Sequence, residues 1–260
     1  MTPPRNSLPH VGVLSQGPTV KIVVKKSDAV DFTAAVNKSI DSGTTFTVHE
    51  SLLIHHSEYF RGALTGDWQE AQSRIVTLTD VSVFTFATFV NWLYTGDLPV
   101  DDLGWCEEEL DPVSATLEAE LEHVRCIIFA DAYIATRFGH ACERKLVNRL
   151  VHLPAPFFET IILAFENLPP ESDTLKLLVD SHAHGWCEEL DSPEQKELRA
   201  QLPHAFLDRV MTRYSELLKG LKANTTMHEC DYHHHDTADE RAECEGLSDV
   251  RRIEGFYQVG

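Results

Sequence analysis

The sequence predicts an α+β fold, and three changes of apolar spacing between Phe46 and Gly96 predict it. Phe46 and Val48 alternate with polar neighbours, as in a strand with one buried face. From His49 to Leu64 the spacing becomes helical, through Leu52 and Leu53 and then Tyr59, Phe60, Ala63 and Leu64. A short run at Ile75, Val76 and Leu78 reads as a second strand. It is followed by the strongly apolar stretch Val83 to Tyr94, which reads as a long buried helix with Phe84, Phe89, Trp92 and Leu93 in the core. A small sheet with helical hairpins, joined to helices, buries all of these faces at once.

The elements follow in chain order. Residues 1–18 hold little to set against the ordering entropy and are expected to be disordered. Val20 to Val24 is β-branched and reads as the first strand. A connection over 25–43 follows; its apolar residues Val30, Phe32, Ala34, Ala35, Val36 and Ile40 leave open whether it has structure of its own. Ser57 is placed to cap the second helix of the hairpin, and Gly66 to end it in the left-handed conformation. Ser82 caps the long helix, which Gly96 closes.

Every charged residue from Asp97 to Glu122 is acidic. Like charges at that density repel one another, and Pro99 and Pro112 interrupt regular structure. An acidic insertion over 99–120 is therefore expected, solvated and mobile, with Trp105 as either an exposed anchor or, the favoured reading, a side chain packed back on the domain. Leu121, Val124, Ile127, Ile128, Ile134, Ala135 and Phe138 then recur at helical spacing, and Cys142, Leu146, Val147 and Leu150 continue the pattern. Three further amphipathic helices are read around Phe157–Phe165, Leu175–Trp186 and Phe206–Leu218. They form a helical extension over 151–222, and 223–260 is a polar tail containing His and Cys. The phrase G-W-C-E-E occurs twice, at Gly104 and Gly185, too few times for a solenoid.

The order of pieces resembles the BTB/POZ family. The matching pieces are F-T-V-H-E-S-L-L (Phe46 to Leu53), S-E-Y-F (Ser57 to Phe60), W-Q-E (Trp68 to Glu70) before I-V-T-L, and W-L-Y-T-G (Trp92 to Gly96). The piece Phe129 to Phe138 resembles the A-D-x-Y helix that follows the family core. On this reading the BTB/POZ domain spans 19–150, and the region beyond is similar to the helical extension of fungal BTB-only proteins. The resemblance implies a protein-interaction adaptor without catalytic activity. In the family many such units recruit a cullin scaffold into a ubiquitin ligase, through a hydrophobic residue, any residue and an acid. Trp68 and Glu70 stand at that place, with Tyr59 and Phe60 in the neighbouring helix, so these four are the expected partner-binding residues. The alternative is a self-associating or regulatory scaffold without ligase function. Thr19-Val20 stands where the family has Asp-Val, and Glu50 replaces a basic residue; both departures remove contacts of the family's usual homodimer.

Composition narrows the classes. The chain has 260 residues, 43% hydrophobic, with 22 Lys and Arg against 41 Asp and Glu, a net charge of -19. Such a surface repels nucleic-acid phosphates and anionic lipid and favours a neutral or basic protein partner. No stretch approaches the ~20 apolar residues of a membrane span. The N-terminal residues lack the apolar run of a signal peptide, which points to the cytoplasm or nucleus. No nucleophile-elbow, zincin or P-loop pattern is present. Asp180, His182 and His184 look metal-like, but on a helix residues two apart point ~200° apart. The tail is different. Cys230, His233, His235 and Cys244 supply the soft and borderline ligands that a structural Zn²⁺ accepts, in a spacing unlike a standard zinc finger. The competing reading is a His-rich polar tail without metal. No other cofactor is expected.

Overall fold

The computed structural model describes residues 12, 16–25, 43–106, 110–151, 155–218, 230, 232–235 and 237–245. The expected disorder of most of 1–18, the connection over 26–42 and much of the tail lie outside the described residues. The chain forms two compact units, one of residues 1–100 and 129–139 and one of 101–128 and 140–260.

The first unit is built on a three-stranded sheet in the order β2-β1-β3, with β1 at Thr19–Val24, β2 at Thr44–His49 and β3 at Ile75–Leu78. β1 pairs antiparallel with β2, Ile22 opposite Phe46, and parallel with β3, Ile22 opposite Val76. Alternation puts Val20, Ile22, Val24, Val48, Val76 and Leu78 in the core. Helices α1 (Glu50–His56) and α2 (Glu58–Thr65) make the hairpin. Ser57 serves both: its N–H donates to Leu53 O at 2.9 Å, and its Oγ accepts from Phe60 N at 3.1 Å. Helix α3 (Gln69–Ser73) is a single short turn, and α4 (Val83–Thr95) is the long buried helix. Ser82 caps α4 by accepting from Thr85 N at 2.9 Å, and Gly96 closes it at φ 76.

Two expectations in this unit need correction. Gly66 is extended, at φ -82, and not left-handed. A Cβ there would lie 2.8 Å from Trp68 Cδ1 and 2.9 Å from Gly62 O, so glycine is needed for close approach. Within α4 the inward aromatics are Phe86, Phe89 and Trp92, whereas Phe84 is only half-buried. Phe89 is the hub, with ring centroids at 6.5 Å from Phe60, 4.9 Å from Phe129 and 5.1 Å from Phe138.

The second unit holds most of α5 (Pro112–Ala132) and α6 (Thr136–Leu150), then α7 (Phe158–Asn167), α8 (Asp173–Gly185), α9 (Pro193–Leu198) and α10 (His204–Leu218). Its apolar core gathers Phe158, Ile161, Ile162, Val179, Leu202, Phe206 and Val210. The expected mobile insertion is folded wherever it is described. Pro112 does not break structure; it opens α5, with Asp111 Oδ1 accepting from Val113 N and Ser114 N at 3.1 and 3.2 Å. Trp105 is 2% exposed and stacks on His123 at 3.9 Å. The acidic charge is matched by Arg149, which donates to both Asp102 oxygens at 2.5 and 3.2 Å and lies 3.7 Å from buried Glu120. Arg125 lies 2.5 Å from Glu118.

The two copies of the repeated phrase share a tryptophan–histidine stack but not a backbone conformation: Trp105 ends a 3-10 turn, whereas Trp186 is extended after α8. Trp186 also stacks on a histidine, His182, at 5.2 Å, and its indole N–H donates to Asp191 Oδ1 at 3.1 Å. Each copy precedes a capped helix with proline at its start, Asp111-Pro112 and Ser192-Pro193. The phrase is thus an aromatic anchor before a helix start.

Burial lowers the pKa of His56, His123 and His182 to about 4 in each case. These rings are neutral when folded but protonate near 6.5 when unfolded. The unfolded state therefore binds more protons between the two values. Each contribution is complete above pH ~6.5 and is lost as the pH falls toward ~4, up to about 3 kcal/mol for a fully buried ring. Burial raises the carboxyls of Glu120 and Glu143 to about 7, and they act in the opposite sense over the same range. Urea titrations at pH 7 and pH 5 therefore read the histidine loss as a difference between wild type and a variant. The loss should be smaller in His182→Phe, whose ring fills the same space beside Phe158 and Phe206 without titrating.

Candidate functional site

The end of the α1–α2 hairpin carries the predicted partner-binding residues. Gly66 lets the chain fold back beneath the indole of Trp68, which is the N-cap residue of α3 and is 66% exposed. An indole left this open forgoes most of its burial free energy unless something covers it. Glu70 is half-buried in the first turn of α3, where the helix N-terminus favours a carboxylate.

Tyr59 and Phe60 diverge, since adjacent helix positions point ~100° apart. Tyr59 is 39% exposed. Burial and then the Glu70 and Asp80 carboxylates hold its hydroxyl above the usual phenol range. Phe60 is fully buried and stacked on Tyr133, with centroids 5.9 Å apart. It thus supports α2 from beneath and presents nothing at the surface, contrary to its expected place among contact residues.

Sequence reasoning passed over three supporting residues. Tyr133 packs edge-on to Tyr59 at 4.8 Å and donates its hydroxyl to Asp80 Oδ1 at 2.6 Å. Ser57 Oγ donates to Tyr133 O at 2.6 Å, and Glu58 N donates to Ile134 O at 3.2 Å. Ile134 has φ 48, which a β-branched residue rarely adopts, and its side chain is exposed. It sits where a helix C-terminus usually has glycine, with Ala135 N donating to Ala130 O at 2.8 Å. The A-D-x-Y piece was the signal for Tyr133; nothing local marked Asp80 or Ile134. The candidate surface thus holds the exposed Trp68, with Tyr59 near the carboxylates of Glu70 and Asp80. It has no nucleophile–base pair, and it suits binding of an apolar side chain with a basic neighbour.

The second predicted cluster is also assembled. Cys230, His233, His235 and Cys244 place one ligand atom each within 4.8 Å of one another. Cys230 and His233 are buried, and His235 and Cys244 half-buried. Burial, followed by the neighbouring Cys244, pushes the Cys230 thiol up. Asp180, His182 and His184 are not brought together. Asp180 pairs with Arg213 at 2.7 Å, His182 lies among Phe158, Trp186 and Phe206, and His184 Nδ1 faces Asp180 O at 2.7 Å.

The model of the BTB/POZ domain family matches residues 23–148. Among curated proteins, the human Rho-related BTB domain-containing protein 3 is 25% identical over 44% of this chain and 16% of its own length. The Kelch repeat and BTB domain-containing protein 4 of Macaca fascicularis is 32% identical over 34% of this chain and 15% of its own. A BTB/POZ domain-containing protein of Arabidopsis thaliana is 26% identical over 39% of this chain and 35% of its own. The chain therefore aligns with only a minor part of each of these relatives. No described helix is long and apolar enough to cross a membrane.

Proposed function

We propose, from the match of residues 23–148 to the BTB/POZ domain family, that this chain is a non-catalytic protein-interaction adaptor. Its partner through the Trp68 surface is a cullin scaffold of a ubiquitin ligase. The observation that carries this reading is Trp68, held open at the start of α3 two residues before Glu70. Aromatics that enter a partner's pocket dominate interface energies, while a rim carboxylate contributes mainly to rate and selectivity. The net charge of -19 adds a long-range preference for a basic partner surface. The helical second unit, with its apolar faces buried on one another, has the character of a support or a second docking region and not of a catalyst.

The test is titration of the purified chain with the cullin of its own organism. Glu70→Lys is expected to weaken binding severalfold at low salt and less as ionic strength rises, because a rim charge is screened beyond ~10 Å at 0.1 M. Absence of wild-type binding would remove the ligase reading. If the chain then sedimented as a stable dimer, the self-associating scaffold would replace it.

A further inference from the structure

We propose that Cys230, His233, His235 and Cys244 form a structural Zn²⁺ site that fastens the 230–245 segment onto the second unit. Tetrahedral zinc holds thiolate sulfur at ~2.3 Å and imidazole nitrogen at ~2.0–2.1 Å, which sets a sulfur–nitrogen edge of about 3.5 Å. Cys244 Sγ lies 3.4 Å from His233 Nε2, so one edge already has that length. The other ligand atoms need only a small contraction from their 4.8 Å limit.

The backbone explains how an unusual spacing makes a compact site. His233 and His235 sit two apart on non-helical backbone, so the ~200° divergence of helix positions two apart does not apply to them. His234 between them is exposed and stacks with His140 at 4.8 Å. This is the reverse of Asp180 and His182, which the helix α8 points apart. Cys244 returns from a helical turn over 238–245.

The donors themselves point to a cation. Both ring nitrogens of His235 are buried without a hydrogen-bond partner among the described residues, although buried polar atoms are normally satisfied. Cys230 and Cys244 are not joined in a disulfide. Two thiolates balance the charge of Zn²⁺, and thiolate with imidazole selects it over Mg²⁺ or Ca²⁺. On binding, four metal–ligand bonds form and the two thiol protons leave to solvent. Four protein ligands leave no open position, so the site is structural and not catalytic.

Its work is mechanical. The segment is docked beside the ligand set through Tyr232, whose hydroxyl donates to Asp180 Oδ2 at 3.0 Å with Lys176 Nζ 5.1 Å from its ring. Arg144 pairs with Glu240 at 3.2 Å. Among the described residues of the segment, Cys230 and Tyr232 are the buried apolar side chains. That area is too small to offset the ordering entropy of the segment, and a metal crosslink between Cys230 and Cys244 supplies the difference.

The experiment is elemental analysis of the full chain purified without chelator, followed by replacement of zinc with cobalt. About one zinc per chain is expected, and the cobalt form should show tetrahedral d–d absorption with a thiolate charge-transfer band. The double variant Cys230→Ser, Cys244→Ser should lose at least about tenfold of the metal, whereas His234→Ala keeps it. His235→Cys should also keep it, with a stronger charge-transfer band, which protects the test if the serine variant fails to fold. Wild-type protein without zinc that gives no cobalt spectrum overturns the proposal. So does zinc content unchanged in a folded double serine variant. Cullin binding does not enter either readout, so this result stands apart from the adaptor reading.

Discussion

Phe89→Ala is expected to cost about 3–5 kcal/mol, against a typical domain stability of ~5–15 kcal/mol. Phe89 is fully buried and its ring meets those of Phe60, Phe86, Trp92, Phe129 and Phe138. Removing it leaves a void among five rigid rings that cannot rotate into the space without losing their own contacts. Equilibrium urea unfolding checks this, and Phe89→Leu, which keeps most of the volume, should lose less than half as much. Because Phe60 and Phe129 carry the neighbouring parts of the domain, the variant should also lose near-ultraviolet circular dichroism. Unchanged unfolding would show that the hub is not where the core is held.

Asp180→Ala is the second large effect, in the other unit. Asp180 Oδ1 lies 2.7 Å from Arg213 Nε, and Asp180 Oδ2 accepts from Tyr232 at 3.0 Å; both charged side chains are about one-tenth exposed. Removal of Asp180 takes one carboxylate from the buried guanidinium, which keeps Glu216 at 3.2 Å from Nη1, and strips Tyr232 of its acceptor. Breaking a buried pair in this way typically costs up to about 3–5 kcal/mol. The pair itself is worth far less than that, because desolvation offsets most of its attraction. Thermal or urea unfolding should therefore show a deep loss in Asp180→Ala and substantial recovery in Asp180→Leu combined with Arg213→Met. Equal instability of the single and double variants would assign the loss to packing and not to the stranded charge.

Much of the fold was legible because its signals are local. The strands follow from period-two alternation, and the caps Ser57, Ser82 and Gly96 from single residues at fixed offsets. The errors share a cause, which is competition from tertiary contacts. In α4 nine of thirteen positions are apolar, too broad a set for periodicity to phase the helix, and Phe84 is expected inside where Phe86 belongs. Gly66 was read as a left-handed cap, but the indole of Trp68 above it, and not φ, is what demands glycine. The acidic stretch reads as mobile from its charge and its two prolines. Arg149, far along the chain, neutralises Asp102 and faces Glu120, and Asp111-Pro112 is a helix start that charge density obscured.

The candidate surface was legible in part. Trp68, Glu70 and Tyr59 follow from residue order, while Phe60 faces inward because a helix turns ~100° per residue. Asp80 and Ile134 reach the same place only through the fold, Asp80 through Tyr133 and Ile134 through its carbonyl bond to Glu58. The tail ligands could be named from composition. Their convergence depends on a non-helical stretch over 233–235 and a helical turn that no spacing rule contains.

The central claim is that Trp68 anchors a cullin, and calorimetric titration of wild type and Trp68→Ala against that cullin tests it most directly. Truncating an anchor of this kind costs ~2 kcal/mol or more, so the account predicts a Kd weaker by at least about thirtyfold. Melting and circular dichroism should stay near wild type, because the indole is open to solvent in the free chain. Binding by Trp68→Ala equal to wild type, with the fold intact, would contradict it.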